Sequence, residues 1–90
     1  MLRPQAAARL GVERHIQELE AQLKEAQQQI ASFELKFGMS FAGIQQEGLP
    51  EDADWQAHED YVEWSSWEGL QIDLEQQLES LRAIPEPLSA

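Results

Sequence analysis

Apolar residues in the first half of the chain fall at alternating spacings of four and three: Val12, Ile16, Leu19, Leu23, Ala26, Ile30, Phe33 and Phe37. That alternation keeps one stripe of a helix turned towards a neighbour. Ile16, Leu23, Ile30 and Phe37 take one core position of the heptad, and Leu19, Ala26 and Phe33 take the other. The intervening Gln, Glu, Ala and Lys24 favour helix, so the pattern predicts a helix over about 11–37. Ahead of it, Pro4 and the stretch Gln5 to Ala8 offer little to pack, and residues 1–10 read as a flexible arm.

Gly38 follows the last periodic residue, where a glycine supplies a left-handed cap. Ser40 stands where an N-cap is needed for a short second helix, 41–46, and Gly48 closes it. The pair Leu49-Pro50 disfavours helix at residue 49 and opens a third helix, about 51–84, with Glu51, Asp52 and Asp54 at the positive end of its dipole. Trp64, Trp67, Leu74, Leu78 and Leu81 form a second heptad seam, interrupted by Gln71. Gly69 weakens this helix by about 1 kcal/mol relative to alanine and marks a bend or a close helix contact. Pro85 and Pro87 end it, leaving a tail over 85–90.

The expected fold is therefore all-α: a helical hairpin of two long helices joined by a short helical corner, packed in a coiled-coil-like way, as one domain over 11–84. Tyr61, Val62, Leu70 and Ile72 are apolar positions away from the second seam. They call for a further contact, either a homo-oligomer, such as a two-fold dimer making four helices, or a groove for a partner.

Composition narrows the function more than the fold. With no cysteine among 90 residues, neither disulfides nor thiolate-bound metal can staple the hairpin. The start, Met1 to Pro4, lacks an apolar signal core and no apolar run reaches membrane-span length, so a cytoplasmic protein is expected. The formal net charge is −11, and it is unevenly placed. Between Phe37 and Leu81 there is no lysine or arginine, while eleven carboxylates stand there, from Glu47 to Glu79. Such a field repels nucleic acid and anionic lipid and attracts basic surfaces with fast, salt-sensitive association. The same field also serves simply to keep a small protein in solution.

Chemistry has few footholds. Asp54 and His58 are four apart, as are Glu59 and Glu63, so each pair shares a helix face. A di-metal bundle site draws Glu-x-x-His motifs from several helices, and none occurs here. Zinc needs more nitrogen or sulfur donors than the chain has. Ser40 is explained as a cap, and Ser65 and Ser66 have no histidine at an activating spacing. A catalytic role, a cofactor and a metal are accordingly not expected, and a metal-binding helical bundle is the weakest of the alternatives. Trp64 and Trp67 fit the seam and read as core, whereas Trp55 and Tyr61 fall away from it. With His58, Glu59 and Glu63 they make an aromatic patch rimmed by acid, the composition of a hot spot for a partner with apolar and basic groups.

The stretch Phe33-Glu34-Leu35-Lys36-Phe37-Gly38-Met39-Ser40-Phe41, continuing through Gly48, Asp52, Asp54 and Glu63-Trp64, resembles small acidic prokaryotic helical proteins of antitoxin-like type. Their pattern is "FExKYGMS…F…G…D…D…EW", with Phe37 here where that pattern has tyrosine. The resemblance covers the middle of the chain and implies a partner that is a ribonuclease-type toxin, with Gly38 to Trp64 as the neutralising surface. The expected function is thus a protein-binding module that neutralises a basic partner through Trp55, His58, Glu59, Tyr61 and Glu63. The alternative is a structural, self-associating coiled-coil protein.

Overall fold

A computed structural model describes residues 4–83, with side chains from residue 11 onward. Three helices follow one another: α1 (Pro4–Phe37), α2 (Phe41–Glu47) and α3 (Trp55–Arg82). Among the described residues there is no strand, and no helix is long and apolar enough to cross a membrane.

The helix boundaries correct the sequence reading in two places. The arm expected over residues 1–10 is helical from Pro4, because proline suits the first position of a helix and the alanines after it propagate one well. The third helix starts at Trp55 and not near residue 51. Pro50 to Ala53 close a turn instead, the Ala53 N–H donating to the Pro50 carbonyl at 2.9 Å. Asp54 then takes the N-cap, its Oδ1 accepting from the Ala57 N–H at 2.9 Å. At the other end α3 runs to Arg82, and the expected tail over 85–90 lies outside the described residues.

The corner follows the expected chemistry. Gly38 holds φ at 72°, in the left-handed region, and its N–H reaches the Glu34 carbonyl at 2.8 Å. Ser40 caps α2, its hydroxyl oxygen accepting from the Gly43 N–H at 3.1 Å. Gly48, at φ 78°, ends α2 one residue beyond the predicted limit.

α1 and α3 run antiparallel, and the two seams bury each other in two clusters. At the corner, Ile30, Phe33, Ile44 and Trp64 are buried, with Phe37, Met39, Phe41, Tyr61 and Trp67 packed around them. Trp64 is fully enclosed: Phe33 and Phe37 stack on it at centroid distances of 5.9 and 5.4 Å, and Phe41 meets it edge-on at 5.2 Å. These separations lie within the range where aromatic pairs attract beyond their buried area. Its indole Nε1 escapes the apolar surroundings by donating to Glu68 at 3.2 Å. At the open end Leu19, Leu74 and Leu78 are buried, flanked by Ile16, Leu23 and Leu81.

Two ion pairs tie α1 to α3. Lys36 binds Asp60 near the corner, and Arg82 binds Glu20 at 2.7 Å near the open end. These are the two cations that bracket the acidic segment in sequence, so each is already occupied within the hairpin. The molecule is narrow, 65 × 21 × 16 Å. Two helices so arranged cover each other along one stripe only and leave their outer faces to solvent.

Candidate partner-binding surface

The register that buries Trp64, Leu74 and Leu78 turns the opposite side of α3 outward. With about 100° between successive residues, Trp55 and Val62 stand on that outer side, with His58, Glu59 and Glu63 beside them. These five residues line one shallow groove. Trp55 is 72% exposed and Val62 65% exposed, and side by side on one helix face they form an apolar patch, not isolated surface residues. His58, Glu59 and Glu63 are exposed as well.

Four of the five residues singled out from the sequence therefore come together. Tyr61 does not join them. It lies on the inward flank of α3, half-buried, and stacks on Phe41 at a centroid distance of 5.5 Å. It supports the corner core and is not the expected surface aromatic beside Trp55. Val62 takes its place in the groove. Its position seven residues after Trp55 was the available signal, since two such residues share a helix face.

The groove is electrostatically one-signed. Asp54 spends one carboxylate oxygen on the helix cap, whereas Glu59 and Glu63 make no ion pair among the described residues. Among the described residues, no group of three or more His, Asp or Glu side chains converges as metal ligands would. What the arrangement offers is a large indole and a valine beside free carboxylates, suited to cationic side chains that carry apolar stems.

Asp60 is one of the eleven carboxylates of the acidic segment, but it is not on the solvated face. Counted with the acidic face, it occupies the heptad position four residues before Trp64 and is the one buried charged side chain among those described. Lys36 and Gln56 both donate to its carboxylate, and these hydrogen bonds hold its pKa below the ordinary value against the opposing effect of burial. The phase of the second seam, extended one step towards the N-terminus, identifies this position.

No family model, curated protein or solved structure matches the chain.

Proposed function

We propose that this chain is a non-catalytic binding module that neutralises a basic partner protein in the manner of an antitoxin, through the outer face of α3 at its N-terminal end. The observation that carries this reading is the convergence of Trp55 and Val62 with His58, Glu59 and Glu63 in one exposed groove. A partner covering the two apolar side chains would gain roughly 1.5–3 kcal/mol for each one fully buried, before the costs of association. The unpaired carboxylates would add orientation and on-rate towards a basic surface.

Antitoxin-like proteins are encoded beside their toxins, so co-expression with the product of the neighbouring gene tests this, using wild type, Trp55→Ala and the double variant Glu59→Lys/Glu63→Lys. The expected outcome is a complex that co-purifies with wild type and is lost in both variants, whose helical circular dichroism stays unchanged. The reading fails if wild type captures nothing basic, or if both variants keep the complex.

A second reading, self-association, has its own observation: Leu70 and Ile72 on α3 and Leu35 on α1 are also exposed, Leu35 by 86%. It would make the chain a structural coiled-coil component.

A further inference from the structure

The exposed side of α3 does not end at the Trp55 groove. Three residues beyond Val62, Ser65 opens a second groove at the corner, shared by Glu34 of α1, Phe41 of α2, and Glu68, Gly69 and Ile72 of α3. Ile72 is 57% exposed. From Trp55 to Ile72 the helix rises about 25 Å, at about 1.5 Å per residue, so the two grooves succeed one another along α3. Gly69 lines the second groove seven residues beyond Val62, and the fold gives no reason for a glycine there. It is mid-helix, its φ is not positive, and a Cβ built on it would meet nothing within 4 Å. Glycine weakens a helix interior relative to alanine, so this position gives up stability without any return inside the chain. An open backbone in the middle of a helix face lets another helix approach closely, since the distance between two helix axes depends on the side chains at their contact.

Charge decides what that second helix carries. Glu59 and Glu63 stand at one end of the face and Glu34 and Glu68 at the other, with no lysine or arginine from Phe37 to Leu81. The bracketing cations, Lys36 and Arg82, are bound to Asp60 and Glu20. A second copy of the same face would set carboxylates against carboxylates, so the complementary occupant has to bring cations. Resting on the basic-partner reading above, we propose that the partner lies along α3 as a basic amphipathic helix. It crosses at Gly69, places apolar residues against Val62 and Ile72, and directs lysines or arginines to the glutamates at both ends.

The test titrates the intact 90-residue chain at low salt with a synthetic leucine–lysine peptide patterned as an amphipathic helix, reading affinity by calorimetry and helicity by circular dichroism. Wild type is expected to bind the peptide with a gain in peptide helicity. Gly69→Leu restores a good helix former, so the variant alone should melt at a higher temperature while its affinity for the peptide falls about tenfold. Trp55→Ala is expected to weaken binding as well. If Trp55→Ala weakens binding but Gly69→Leu leaves it unchanged or tighter, the helix along α3 is overturned while the basic-partner reading stands. Binding without any gain in helicity overturns it equally. A wild-type chain that ignores the peptide sinks both, and a self-associated chain that Gly69→Leu returns to monomer makes the occupant a second copy.

Discussion

Asp60 stays charged at a core position because Lys36 and Gln56 both donate to it, and the two partners of the ion pair are unequally placed. The Asp60 side chain is 8% exposed, whereas that of Lys36 is 55% exposed and can turn to water. Removing the cation therefore strands a buried carboxylate, while removing the carboxylate strands nothing. Lys36→Met is expected to cost about 1–3 kcal/mol in urea denaturation at pH 7, and Asp60→Leu to be near neutral. Equal costs for the two variants would contradict this asymmetry. Because the folded-state pKa of Asp60 lies below its unfolded value, the stability it contributes is present above that unfolded value, about 3.9, and is lost as pH falls through the folded pKa. The penalty of Lys36→Met should shrink over that same acid range. The sequence announced this residue only faintly, since an aspartate surrounded by other acids looks like part of a solvated face until the seam is extended onto it. Tyr61 was misplaced for the related reason that its inward neighbour, Phe41, lies on a different helix.

At the scale of the element, periodicity was the strong signal and chain ends were the weak one. The first seam is buried at Leu19, Ala26, Ile30 and Phe33, and the second at Trp64, Leu74 and Leu78, as their spacing predicted. The start of α3 was harder to read, because Glu51, Asp52 and Asp54 suit a first helical turn as well as a turn followed by a cap. An aspartate whose side chain can accept from the third residue on gains more as an N-cap, and Asp54 takes that place. The two glycines that flank the corner and punctuate α3 should respond oppositely to substitution. Gly38, at φ 72°, occupies a conformation that costs other residues about 1–2 kcal/mol, so Gly38→Ala is expected to destabilise. Gly69 is an ordinary helical residue in open space, and Gly69→Ala is expected to stabilise by up to about 1 kcal/mol. Chemical denaturation of both variants checks the signs, and a loss of stability in Gly69→Ala would mean that the outer face of α3 is not open.

For the whole molecule the governing quantity is the one-signed field of the segment between Lys36 and Arg82. It was legible from the placement of charges along the sequence. The sequence could not show that both bracketing cations would be drawn back onto the hairpin, because that depends on the register between α1 and α3. With those cations occupied, salt acts in two opposite directions. Screening relieves repulsion among the carboxylates of the isolated chain and should raise its melting temperature, whereas it weakens attraction to a basic partner. The most direct test of the central claim is light scattering after size exclusion, at low and high salt, on the chain alone and with the co-expressed product of the neighbouring gene. The account predicts a chain near its own mass of 10.3 kDa when alone and a defined hetero-complex that separates as salt rises. A stable self-oligomer that leaves the neighbouring product unbound at every salt concentration would contradict it.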